Sequence, residues 1–463
     1  MSSSLFMDLF RKLKTLTEIF KRFIIICTKL ITEQGVEHMD CSMNNIEILK
    51  GNIVYTKTSE AFNIVENGYI VVKDNCVEGV YDRLPEKYAQ NIIKDYGDKL
   101  IIPGLVDLHT HAPQFAIKGI GYDKELIPWL ETYTFPEEAK FKDKSYAEKI
   151  YKEFVDELYK KGTTRAVIFG TIHDESTEIL MDLLEEKKIF AYVGKVNMDR
   201  NCPDSLREDS DDSINKTIKW IENCSGKYKY VKPILTPRFV PSCTGYLMEE
   251  LGKIAEKQEI PVQSHLSENP SEIEWVKELH PDCNNYGAVY DKYKLFGQTK
   301  TIMAHCVHLT DEEIALIKKN GVVIAHCPTS NVNLSSGISP ISKLLKEKVE
   351  IGLGSDISAG ETLNMLEVMA STIKVSKLRK VCFNEEEKPL TVEEVFYLGT
   401  KGGGKFFGKV GSFEEGYEFD ALVIDDEKLC KVSKGTIEER MERLIYSGDE
   451  ENIIARYSGG NEI

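Results

Sequence analysis

A chain of 463 residues exceeds one ordinary compact domain and has room for one large domain with a smaller companion. With 42% hydrophobic and 29% charged residues it can bury a large core, which excludes disorder for the body of the chain. The formal net charge of -16 would repel phosphate backbones, so nucleic acid is not an expected partner, and small neutral substrates stay open.

Residues 1–42 read as an extension. Leu5, Leu9, Leu13, Leu16, Phe20, Phe23 and Cys27 recur at helical spacing beside Arg11, Lys12, Lys14, Lys21 and Arg22, a basic amphipathic pattern. Its longest apolar run, residues 23–27, is too short for a secretory core or a bilayer span, so neither export nor stable membrane insertion is expected. A surface helix touching membrane or partner and a dispensable extension ahead of Met39 or Met43 both stay open. Eleven cysteines, an odd count with no C-x-x-C pair, point to reduced thiols and a cytoplasmic location.

Over residues 43–100, β-rich runs at 46–49, 52–56 and 70–72 separated by Gly and Asn turns predict the first part of a small β domain. From 101 to 405, apolar strand-like runs alternate with helical stretches, as in 166–169 followed by 175–188, the pattern of βαβ units in an α/β fold. Further runs at 189–196, 231–235, 261–265, 301–305, 322–326 and 351–354 supply the other strands of an expected (β/α)8 barrel. The triplet Glu385-Glu386-Glu387 reads as a solvated surface turn. Residues 399–406 (Gly-Thr-Lys-Gly-Gly-Gly-Lys-Phe) read as a glycine-rich turn, because Phe406 stands where a phosphate-binding loop needs Ser or Thr. Beyond 406, the run 419–424 predicts a strand returning to the N-terminal β domain, which residues 406–463 would complete and so make discontinuous.

The C-terminal strand ends of a (β/α)8 barrel carry its chemistry. His109 and His111 alternate along one strand and can present two imidazoles to one ion, a pattern that taken alone also admits a structural explanation. His265 and His305 close two later apolar runs, and Asp356 follows a third. Nitrogen and carboxylate donors without thiolate suit one catalytic zinc, although iron or manganese would accept them too. Glu268, three residues beyond His265, could curl back over the site as a proton shuttle; the plainer alternative is a helix cap at Ser267 with Glu268 in the first turn, and the two are compatible. His326 reads as a pocket-shaping strand end, Cys327 as a small buried residue and His308 as added support. His38, His173 and His280 receive no role. His173-Asp174-Glu175 begins an H-x-E deaminase signature, but its P-C-x-x-C half is missing.

As an ordered set, Pro-Gly-Leu-Val-Asp-Leu-His-Thr-His (103–111), His265, His305 and Gly-Ser-Asp (354–356) resemble the amidohydrolase superfamily, in its deaminase branch, and the likeness runs on to Glu-Phe-Asp-Ala-Leu (418–422). Within that branch, His-Ala-Pro-Gln (111–114), Thr-Pro-Arg-Phe (236–239), His-Leu-Ser-Glu-Asn (265–269) and His-Cys-Pro-Thr-Ser-Asn (326–331) resemble the guanine deaminases. The resemblance implies a (β/α)8 barrel of the amidohydrolase type with a small discontinuous β-sandwich domain, a homodimer, and attack of water at C2 of guanine to give xanthine and ammonia. It implies that His109, His111, His265 and Asp356 hold one zinc, or iron(II), and that Asp356 also takes a proton from the attacking water. His305 would contact the nucleophile or the developing oxygen, and Glu268 would deliver protons to the ring nitrogen and the departing amine. Gln114, Arg238 and Phe239 would grip the base beside His265 and Asp356, which suits their donors, acceptor and aromatic face.

Alternatives stay open beside this. Arg238 also reads as an ion pair on the barrel rim. Lys232 could be cast as the carbamylated lysine of a two-metal relative, against which the offset of Glu268 from His265 points to one metal. Cytosine, adenine or a related heterocycle would use the same metal set. A scaffold that had lost its chemistry would lack ligands that are all present here.

Overall fold

The computed structural model describes residues 46–383 and 388–463; the basic amphipathic pattern, His38 and the triplet 385–387 lie outside the described residues. Strands β1 (Ile46–Thr58), β2 (Ala61–Lys73) and β3 (Cys76–Tyr81) form an antiparallel meander. The two runs expected at 46–49 and 52–56 are one strand, because the irregularity between Gly51 and Ile53 is absorbed as a bulge. Asn52 satisfies that bulge, donating to the Asp98 carbonyl and accepting the Asn67 N–H, each at 2.9 Å. β4 (Ile93–Pro103) then runs parallel to β1.

The next strands are β5 (Leu105–His111), β6 (Thr163–Phe169), β7 (Phe190–Gly194), β8 (Val196–Asn197), β9 (Val231–Pro233) and β10 (Thr236–Pro237). After them come β11 (Val262–Leu266), β12 (Thr301–His305), β13 (Val323–His326) and β14 (Ile351–Leu353). They build two four-stranded parallel sheets, β5-β6-β7-β9 and β11-β12-β13-β14, with the short pair β8 and β10 beside them. Every residue of β5 and β6, polar and apolar alike, is buried, as strands covered on both faces must be. A parallel bridge from Leu235 to Val262 joins the region after β9 to β11. At the other edge the Asp356 N–H donates to the His109 carbonyl at 2.8 Å, which ties the end of β14 to β5.

Amphipathic helices fill the crossovers, among them Lys144–Lys160, Asp174–Glu186 and Gly245–Gln258. Inside the sheets, Val106, Leu108, Val167, Ile234, Ile302 and Ala304 pack with Phe406. The expected glycine-rich turn is more ordered than that: Leu398–Gly402 prolongs the helix Val392–Tyr397 as a wider π turn. Its glycines are there for close approach, since a Cβ on Gly402 would lie 2.8 Å from the Ile351 carbonyl oxygen.

The chain closes with β15 (Ala421–Ile424), β16 (Ile453–Ser458) and β17 (Asn461–Glu462). β15 pairs antiparallel with β4, giving one seven-stranded sheet in the order β17-β16-β15-β4-β1-β2-β3. The helix Ile437–Ser447, between β15 and β16 in the chain, shares a core with Leu422 and Ile424 of β15. Its Met441 and Leu444 share a core with Leu366 and Met369 of the helix Met365–Cys382. No helix among the described residues is long and apolar enough to cross a membrane.

Candidate active site

Alternation along β5 turns His109 and His111 the same way, with their Nε2 atoms 3.2 Å apart. β11 brings the Nε2 of His265 to 3.2 Å from that of His111. The Nδ1–H of His265 donates to the Arg238 carbonyl at 2.6 Å, which sets its tautomer and leaves an Nε2 lone pair facing its neighbours. His305, at the end of β12, likewise donates its Nδ1–H to Asn331 Oδ1 at 3.0 Å. Its Nε2 lies 3.4 Å from Glu268 Oε2 and 3.8 Å from Asp356 Oδ2. The other oxygen of Asp356 sits 3.3 Å from His109 Nε2 and 3.5 Å from His111 Nε2.

Sharp strand exits aim these groups. His305 (φ 72), Ser267 (φ 49) and Asp356 (φ 49) all occupy the left-handed region, which costs a non-glycine residue about 1 to 3 kcal/mol unless the surroundings enforce it. Asp107 supplies part of that enforcement beneath the site. It accepts the N–H of Ser355 at 3.0 Å, the N–H of His109 at 3.2 Å and the Ser355 hydroxyl, so one buried carboxyl locks β5 to the segment carrying Asp356. Burial pushes Asp107 up to about 6, against those hydrogen bonds.

The donor set fits one divalent metal. The ligand atoms of His109, His111 and His265 all lie within 4.8 Å of one another. Burial, reinforced by repulsion between neighbouring rings, holds His111 and His265 well below the usual imidazole range, so they are neutral lone-pair donors. Burial opposes the charge of Asp356, yet His109, His305 and His111 hold its carboxyl well below the usual range. Converging lone pairs beside a buried carboxylate call for a cation among them. Cys327 Sγ also lies within 4.8 Å of ligand atoms on His109 and Asp356, but burial and then the Asp356 charge push that thiol well up, and a protonated thiol is a poor ligand.

Above this cluster opens a cleft, apolar along Leu126, Trp129, Leu334 and Phe239 and polar along Gln114, Arg238 and Glu268. Burial, then the nearby Asp356, pushes the Glu268 carboxyl up to about 8, so it carries a proton at neutral pH. The Ser336 hydroxyl donates to it at 3.2 Å. His308 in turn donates from Nε2 to the Ser336 carbonyl at 2.6 Å. The cap expected at Ser267 is instead Asn269, which forms a capping box with Glu272 ahead of the helix Pro270–Leu279. Glu268 therefore precedes the helix, and Ser267 turns its hydroxyl to Glu313 at 3.2 Å.

Residues 100–462 match the profile of the Amidohydrolase family. The chain belongs to the amidohydrolase family. It is 38% identical over 446 residues to the guanine deaminase of Dictyostelium discoideum, covering 90% of this chain and 98% of that one. It is 34% identical over 418 residues to the guanine deaminase of Escherichia coli (strain K12), covering 87% and 92%. A crystal structure of guanine deaminase from C. acetobutylicum, with guanine bound in its active site, superposes with a TM-score of 0.89 at 53% identity, covering 90% of this chain and all 100% of that one.

The amidohydrolase chain thus gathers His109, His111, His265, His305, Asp356, Glu268, Gln114, Arg238 and Phe239 around one cleft. Arg238 lines the cleft, and its Nη1 donates to the Glu138 carboxylate at 2.7 and 2.9 Å. Some residues stay apart. His326 is buried away from the cleft, with neither ring nitrogen partnered among the described residues, and burial holds it down to about 3. It ends β13 and does not line the cleft. Lys232 is exposed on β9 and takes no part. The sequence pattern assigns no role to Glu138, Asp107, Asn331 or Ser336. Asn331 and Asp107 sat inside recognisable motifs, whereas the only signal for Glu138 is that a buried Arg238 requires a counter-charge.

Proposed function

We propose that the protein hydrolyses guanine to xanthine and ammonia. One observation carries the reading: the cleft joins a three-imidazole and carboxylate donor set to the buried carboxyl of Glu268 and to the donor and acceptor groups of Arg238 and Gln114. The relatives named above point the same way. His109, His111, His265 and Asp356 would hold zinc, with iron(II) the alternative, and such an ion lowers the pKa of a water it binds to about 7.

The side chains do the rest. Phe239 packs on the purine face while Arg238 donates to a ring carbonyl and Gln114 pairs with the adjoining ring nitrogen. Glu268 protonates the ring nitrogen next to C2, which draws the nucleophile to that carbon. Asp356 takes the proton released from water, and His305, 3.8 Å from that carboxyl, stabilises the developing oxygen. The emptied Glu268 carboxylate takes the proton of the new C2 hydroxyl and hands it to the amine as the C2–N bond breaks, leaving xanthine and ammonia, and the proton held by Asp356 returns to Glu268. The apolar wall keeps bulk water from competing for these transfers.

The architecture that serves this chemistry is a closed (β/α)8 barrel over residues 101–405. It is supported by the Leu235 to Val262 bridge and by the hydrogen bonds joining β14 to β5. Residues 43–100 and 406–463 would form a discontinuous β sandwich around the seven-stranded sheet. The protein acts in the cytoplasm as a homodimer without membrane insertion; free cysteines among the described residues support the compartment.

The deciding experiment mixes purified, zinc-loaded protein with guanine, adenine and cytosine and follows ultraviolet change and ammonia release. Release from guanine alone is expected. Release from adenine or cytosine in its place would move the function to another heterocycle, and no release from guanine would overturn the reading.

A further inference from the structure

We propose that Glu138, which does not line the cleft, sets the hydrogen-bond polarity of the edge that reads the base and so decides between an oxo and an amino group on the substrate. The inference rests on the guanine reading above. Glu138 ends the short helix Phe135–Glu138 and is 2% exposed. Its Oε1 accepts from Gln114 Nε2 at 3.0 Å and from Arg238 Nη1 at 2.9 Å, and its Oε2 accepts from the same Nη1 at 2.7 Å.

A carboxylate paired with a guanidinium can only accept hydrogen bonds. The Gln114 amide must therefore turn its nitrogen toward Glu138, because the opposite flip would set two acceptors against each other in a buried place. That leaves the Gln114 carbonyl as the free end of a residue that lines the cleft. Arg238 is committed on the same side through Nη1, and the Phe135 ring lies 5.3 Å from its Cζ. Its Nε and Nη2 donate to no group among the described residues, which leaves them for a ligand.

The reading edge thus presents an acceptor beside donors. Its complement is a ring carbonyl adjoining a ring N–H, the lactam edge of a 6-oxopurine. A 6-aminopurine carries the reverse pattern, a donor beside a bare ring nitrogen, and meets like against like at both positions. Glu138 touches no substrate; it positions the two residues that do. With Gln at 138 the network keeps its shape but loses its constraint, since an amide can donate or accept and Gln114 becomes free to flip.

The test compares wild type with Glu138→Gln on guanine and on 2,6-diaminopurine, which carries the same C2 amine behind a reversed edge. Metal content and melting temperature are measured alongside. The variant should raise KM for guanine by roughly tenfold or more while kcat falls less than about threefold, and should raise diaminopurine turnover relative to guanine by roughly tenfold, the scale of one mispaired buried hydrogen bond. A folded variant with an unchanged substrate ratio overturns the role of Glu138. So does an equal collapse of kcat on both substrates, which is what a purely structural residue would produce. Should Glu138→Gln not fold, Glu138→Asp answers the same question: its carboxylate, one methylene shorter, cannot reach both partners, and an unchanged ratio again overturns the role. A wild type that releases no ammonia from guanine overturns the functional reading instead, and is told apart because it fails before any variant is compared.

Discussion

Glu272 gives the most quantitative handle on this site. It sits at the third position of the helix Pro270–Leu279, wholly buried. It accepts the N–H of Glu268 at 3.1 Å, the N–H of Asn269 at 3.4 Å and the Tyr286 hydroxyl at 2.7 Å. Burial and then the neighbouring Glu268 push its carboxyl from the ordinary 4.5 up to about 7. The native state therefore keeps a proton that the unfolded chain releases at lower pH. The stability this brings is whole below the unfolded value and is lost as pH rises through the folded one. At ~1.4 kcal/mol per tenfold difference, the full loss is ~3 kcal/mol, of which roughly 2 to 3 kcal/mol falls between about pH 5 and about pH 8. Glu272→Gln abolishes the titration while its amide oxygen can still accept the Glu268 N–H. Urea unfolding of metal-saturated wild type and variant, followed by tryptophan fluorescence across that range, should show wild type losing stability relative to the variant as pH rises. A difference that stays constant to within about 0.5 kcal/mol would refute the argument and mean that three donors keep Glu272 ionised throughout.

Glu268→Gln should retain its metal and lower kcat by roughly 10² to 10⁴, the usual contribution of a positioned acid or base; metal loss, measured by atomic absorption, would make Glu268 a ligand instead. Dialysis against a chelator should abolish ammonia release and added zinc should restore it. His111→Ala should bind well under one ion per chain, and a full complement would remove His111 from the ligand set. Arg238→Ala leaves Glu138 buried without its cation, so it should cost about 3 to 5 kcal/mol of stability by chemical denaturation and raise KM for guanine. An unchanged KM would refute the base-binding role.

Much of the site was legible because its chemistry is local. His109 and His111 share a strand face by alternation alone, and Glu268 follows His265 closely enough to reach the same cleft. The strand ends at His305 and His326 agree with the apolar runs that precede them, since burial on both faces leaves a continuous hydrophobic signature. The misreadings were local competitions decided elsewhere. Ser267 is an acceptable cap by type, yet Asn269 with Pro270 and Glu272 behind it makes the better one and frees Glu268 for the cleft. His326 and His305 look alike in the sequence and are equally buried, yet His305 Nε2 lies 3.8 Å from Asp356 Oδ2 whereas neither ring nitrogen of His326 finds a partner among the described residues.

The types of the clustered residues, their order and the strands that carry them are local properties of the chain, because side-chain alternation and apolar patterning act within a few residues. Only the tertiary structure decided partners and protonation. Glu138 meets Arg238 across a hundred residues of chain, the Glu268 proton is kept by burial beside Asp356, and His308 steadies Glu268 through Ser336. Each depends on which groups folding removes from water together, and desolvation is a property of the assembled molecule that no short stretch of chain contains.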